Sequence, residues 1–142
     1  MKKIFGLVSV LSLSLHSFTQ PPSTTALERL EKTRIFAFGG VGFAGVTSSS
    51  EKDFRIIIAQ PSEEALKQFE ELYASGNPEG KSYALVGIRR LAPDRFAALT
   101  QVMVGSSDKV ATMSGCIMES KPFLAVVQQI AKGQFDFWLD RR

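Results

Sequence analysis

The chain has 142 residues, 17 Lys+Arg against 14 Asp+Glu, and only one histidine and one cysteine. That length suits one domain with a single core, and a lone cysteine excludes an internal disulfide. The near-balanced charge does not provide the basic face that nucleic acid requires, so no nucleic-acid partner is expected.

Residues 1–19 read as a secretory signal peptide. Lys2-Lys3 precedes an apolar run over 4–15, which is signal length and too short to span a bilayer. Cutting near Thr19 removes Lys2, Lys3 and His16. The mature chain is then near +1 in formal charge, and it has no imidazole for a Ser-His-Asp triad, a Cys-His pair or a histidine-ligated metal. Export to the periplasm or exterior is the expectation. No lipid anchor is expected, since no cysteine follows the signal, and no later stretch could span a membrane.

Residues 20–33 read as a Pro/Ser/Thr-rich flexible lead-in with a helical turn or two from Ala26, contacting through Leu27 and Leu30. Residues 34–142 are expected to form one domain. Residues 34–38 look extended. Gly39-Gly40-Val41-Gly42-Phe43-Ala44-Gly45 follows, where Gly40, Gly42 and Gly45 fit G-x-G-x-x-G and are weak candidates for cofactor or phosphate contact. The polar run 46–50, where a helix should open, argues against that reading, and no cofactor is expected. A tight turn at positive φ, with Val41 and Phe43 packed inward, explains the glycines better.

Ser48-x-x-Glu51 has capping-box spacing and favours a helix over 49–59, although Ile56-Ile57-Ile58 equally suits a strand. The organising stretch is 60–105, read as three helices punctuated by Pro61, Asn77-Pro78, Ala92-Pro93 and Gly105. The first carries Leu66, Phe69, Leu72 and Tyr73 on one stripe, with Gly76 as a left-handed stop. The second buries Ala84, Leu85, Ile88 and Leu91, with Tyr83 at its margin. Its line of Gly80, Ala84 and Gly87 calls for a closely packed neighbouring backbone, since each mid-helix glycine costs about 1 kcal/mol against alanine. The third points Phe96, Leu99 and Met103 inward.

Residues 109–113 and 116–118 read as a strand and its return. Cys116 is either a reactive thiol or, preferably, a buried small hydrophobe. Phe123, Val126, Val127 and Ile130 mark a helix over 123–132, started by Glu119 or Ser120 and stopped by Gly133. In 134–139, an extended run would put Phe135, Phe137 and Leu139 on one side. Docking through Trp138 is preferred to an exposed aromatic patch.

The run from Asn77-Pro78 to Gly87-Ile88-Arg89-Arg90-Leu91 resembles the second half of a HEAT-type helical repeat. Residues 38–45, 83–91 and Ser114-Gly115-Cys116 together resemble uncharacterised exported bacterial proteins, a likeness that implies a location and no activity.

The resulting expectation is a mainly α domain, a small helical-hairpin array with a minor antiparallel β element; α+β is the alternative. Its function is expected to be non-enzymatic, presenting a helical surface to a protein of the cell envelope through Lys67, Glu70, Glu71, Arg89, Arg90 and Trp138. Two alternatives are a hydrolase of cell-wall sugars using Glu63, Glu64, Glu70, Glu71 or Asp94, and a small-ligand binder at the glycine-rich turn.

Overall fold

A computed structural model describes residues 19–103 and 105–141. The signal-peptide reading and His16 lie outside the described residues. Among the described residues the chain is mainly α, with seven helices and two small antiparallel two-stranded sheets.

Helix α1 (Pro22–Glu31) begins well before Ala26, with proline at its first position. It is no flexible lead-in: Ala26 and Leu30 are fully buried. Residues 34–38 then run extended, and Phe36 makes a single parallel bridge to Thr112. A small hairpin follows, β1 (Gly40–Val41) with β2 (Val46–Thr47). Next comes α2 (Ser49–Ile58), whose N-cap Ser48 Oγ accepts from the Glu51 amide. The helical reading of the isoleucine run prevails because this cap starts the helix while Phe54 and Ile57 share its buried face.

The array expected over 60–105 is present as α3 (Ser62–Ser75), α4 (Pro78–Leu91) and α5 (Pro93–Gln101). Gly76 is not the left-handed stop expected of it. Its φ is −72°, and what excludes a side chain is the Leu72 carbonyl oxygen, 2.6 Å from where a Cβ would stand. Asn77 caps α4 as expected, its Oδ1 accepting from the Gly80 amide at 2.8 Å.

Helix α4 is the axis of the molecule. It packs on α1, α2, α3, α5, on α6 (Phe123–Ala131) and on strand β3 (Lys109–Ser114). Every residue from Ser82 to Ile88 is buried, so Tyr83 is central rather than marginal. A Cβ on Gly80 would meet the Leu30 carbonyl oxygen at 2.6 Å, which is the close backbone the glycine line called for. At Gly87 the close neighbour is the Phe69 ring instead.

Strand β3 pairs with β4 (Ile117–Pro122), and α6 starts directly after Pro122 with no side-chain cap from Glu119 or Ser120. Its buried residues are Phe123, Val126, Val127 and Ile130, the expected stripe. The C-terminus is not extended: α7 (Asp136–Leu139) turns Phe135 into an aromatic cluster. The ring centroid of Phe135 is 5.0 Å from that of Phe36, which lies 4.9 Å from that of Tyr83. Edge-on aromatic packing of this kind carries much of the core.

Candidate functional site

Two hairpins form one end of the molecule. Gly42 and Gly45 adopt φ of +71° and +61° with open space around them, so glycine is there for the turn alone. Gly115 does the same at +56° in the β3–β4 turn. The two turns are tied together, since Val41 bridges Gly115 and the Gly42 amide donates to the Gly115 carbonyl at 2.9 Å. The base of the first hairpin is fixed by Glu51, whose Oε2 accepts from the Gly39 amide at 2.8 Å.

What this end offers is apolar. Among the described residues, four of the seven large hydrophobic side chains left exposed sit on these hairpins: Phe43, Val46, Ile117 and Met118. Phe43 is wholly solvent-exposed, contrary to its expected inward packing, because the glycine turn on either side of it stands in open space with nothing to pack against. Cys116 is exposed as well, at the hairpin turn rather than in the core. The Ile117-Met118 that follows it belongs to an exposed strand, which is why the apolar context misleads. Exposed apolar side chains gathered in this way are a feature to be accounted for.

Beside the first hairpin lies an open cleft of about 500 Å³ lined by Gly39, Gly40, Lys52, Arg55, Trp138 and Arg141, among others. Of the three candidate cofactor-contacting glycines, Gly40 alone lines it. The Trp138 indole stacks over Gly39, where a Cβ would approach ring atoms to 2.9 Å and φ is +86°. The Arg141 guanidinium stands 4.6 Å from the Phe137 ring centroid. Arg55 is committed to holding the structure: it donates to Glu51 Oε1 and to the Trp138 carbonyl oxygen at 2.6 Å.

The other residues singled out on helices do not converge on one site. Arg89 is paired with Asp136 at 2.7 Å and Arg90 with Asp140 at 2.6 Å, so both clamp α7 to α4. Glu70 is paired with Arg95 at 2.5 Å. Lys67 lines a shallow groove on α3 with Glu63, Glu64 and Glu70, while Glu71 and Asp94 are exposed elsewhere. These acids belong to helix surfaces rather than to two walls of one cleft.

Two acids are buried, which the sequence reading does not expect: Glu51 reads there only as a capping-box partner, and Asp53 is not singled out. Glu51 and Asp53 are 2% and 5% exposed, each held by an arginine. Asp53 takes both Arg29 Nε and Nη2, which holds the Arg29 proton more firmly than usual. A buried carboxylate needs such a partner. The i, i+4 spacing of Glu51 and Arg55 is a local signal that could have found the first pair; Arg29 and Asp53 lie 24 residues apart. Tyr83 is the third buried polar anchor. Its hydroxyl accepts from the Ala37 amide at 3.0 Å and donates to the Ala37 carbonyl at 2.8 Å. Burial pushes its pKa up to about 12.

Among the described residues there is no cluster of three or more His, Cys, Asp or Glu that could hold a metal, and no helix long and apolar enough to cross a membrane.

These features define the class: a mainly α domain built around one buried helix and closed at one end by two coupled β-hairpins. No protein-family model, curated protein or solved structure matches the chain. The stretch with HEAT-type likeness, residues 77–91, is α4 with its cap, and every residue from Ser82 to Ile88 is buried.

Proposed function

We propose that this is an exported, non-enzymatic protein of the cell envelope that binds a protein partner, not nucleic acid, through its paired hairpins. One observation carries the reading: exposed apolar side chains concentrate where the glycine turn of 42–45 meets the turn at Gly115. The helical faces are the second candidate surface. They are less favoured because Glu70, Arg89 and Arg90 already spend their charge within the chain. Export rests on the N-terminal sequence pattern and is tested by fractionation and N-terminal sequencing, with a mature start near Gln20 predicted.

The test of the surface compares capture from an envelope extract by the parent chain, by Phe43→Ser with Ile117→Ser, and by Lys67→Glu. The hairpin variant should lose the captured partner while keeping its fold, and the helix variant should keep it. The reverse pattern would move the surface to the helices. The cleft lined by Gly40, Lys52, Trp138 and Arg141 favours one second reading, a small anionic ligand. A thermal shift on adding nucleotides or other anions would support it.

A further inference from the structure

Strand β4 is the end of its sheet, with β3 along one side and no described strand along the other. The register fixes which of its backbone groups face outward. Gly115 and Cys116 form a two-residue turn, so Ser114 and Ile117 exchange hydrogen bonds, and so do Thr112 with Glu119 and Val110 with Lys121. The Phe123 amide, donating to the Asp108 carbonyl at 2.8 Å, continues that alternation. On the opposite side of β3, the groups that bond Phe36 belong to Ala111 and Met113, as the same parity requires. The outward groups of β4 are therefore the N–H and C=O of Met118 and Ser120 and the C=O of Pro122.

An open edge is a template for another strand. Lysine and proline on an edge commonly guard against that, and Lys121 and Pro122 are here. However, Pro122 closes the strand and leaves the Met118 and Ser120 amides free. A lone lysine repels a second copy of its own strand, but Lys121 is paired with Glu119 two residues away at 3.1 Å. An acid and a base two apart are complementary to their own antiparallel image.

We propose that β4 pairs with β4 of a second copy of this chain, antiparallel, with Ser120 on the two-fold axis. In this register the outward groups meet: Ser120 bonds the second copy's Ser120 in both directions, and the Met118 amide bonds the second copy's Pro122 carbonyl. Glu119 then stands opposite the second copy's Lys121, and Lys121 opposite its Glu119. Centring the axis on Glu119 sets two carboxylates against each other, and centring it on Met118 leaves both charges opposite uncharged residues. Only the Ser120 register joins opposite charges while satisfying the backbone. The product is one continuous antiparallel sheet carrying a hairpin turn at each end.

Light scattering and sedimentation of the purified chain test this. The expected result is a concentration-dependent dimer. Glu119→Lys and Lys121→Glu should each weaken it about tenfold or more by replacing attraction with repulsion at both pairs. The double exchange should restore it, and Ser120→Pro should abolish it. Hydrogen exchange at the Met118 and Ser120 amides should slow as the dimer forms, while protection of the Val110 and Thr112 amides, which bond within the hairpin, reports that each variant remains folded. A monomer up to millimolar concentration would overturn the inference, as would a dimer indifferent to the single charge reversals or not rescued by the double exchange. Phe43 lies off β4 and Ile117 lies outside the paired span from Met118 to Pro122, so partner capture and dimerisation fail separately: loss of one with retention of the other shows which reading is wrong.

Discussion

Tyr83 shows how much one side chain can settle. Its hydroxyl bonds both backbone groups of Ala37, so Tyr83→Phe leaves a buried amide and carbonyl without that partner. Orphaned buried groups cost about 1–3 kcal/mol, and we expect that loss in chemical denaturation. The same residue sets a pH limit. The unfolded phenol releases its proton near pH 10 and the folded one near 12, so the native state holds the proton longer. Its contribution is complete below pH 10 and lost as pH rises through 12, a fall of about 2–3 kcal/mol from this group. Denaturation profiles of the parent chain and Tyr83→Phe should therefore converge over that window; parallel profiles would contradict the assignment. None of this was legible beforehand, because a tyrosine one place off an apolar stripe reads as marginal until the elements that enclose it are known.

At the scale of the element, caps and glycines were the legible signals. Ser48 and Asn77 start α2 and α4 as their residue types and spacing suggest, because a cap is a local bond within three residues. Asn77→Ala should cost about 1 kcal/mol or more, since its amide nitrogen also donates to the Thr33 carbonyl at 2.6 Å. Gly87 sets two effects against each other. Alanine gains about 1 kcal/mol of helix propensity, but its methyl would overlap the Phe69 ring, which is fully buried. Overpacking costs about 1–3 kcal/mol, so Gly87→Ala should lower the melting temperature, whereas propensity alone predicts a rise. Less legible were the ends of the chain. Residues 20–25 look like a linker by composition, yet Ser23 is buried and α1 begins at Pro22. The aromatic tail alternates like a strand but folds as one helical turn, with Phe135 against Phe36, Trp138 on Gly39, and the α4 arginines at Asp136 and Asp140. Both outcomes depend on distant partners that local pattern does not encode.

At the scale of the molecule, the C-terminal turn separates packing from charge. The Arg90–Asp140 pair is exposed on both sides and should contribute under 1 kcal/mol. Trp138 is half-buried against Gly39 and the core. Trp138→Ala should therefore cost about 2 kcal/mol, clearly more than Arg90→Ala; equal losses in thermal melts would mean that charge, not packing, closes this end. The candidate surface was only partly legible. The glycine turn was conspicuous and its positive φ values were expected, but its link to Gly115 joins positions far apart in the chain. Without that link, Phe43 and Met118 had no reason to be considered together.

The central claim is that function lies in the shape of the hairpin end. It is tested most directly by quantitative capture from an envelope extract with the Phe43→Ser/Ile117→Ser chain beside the parent and Lys67→Glu, all matched for melting temperature. The account predicts that binding disappears for the hairpin variant and is unchanged for Lys67→Glu. Unaltered capture by the hairpin variant would contradict it.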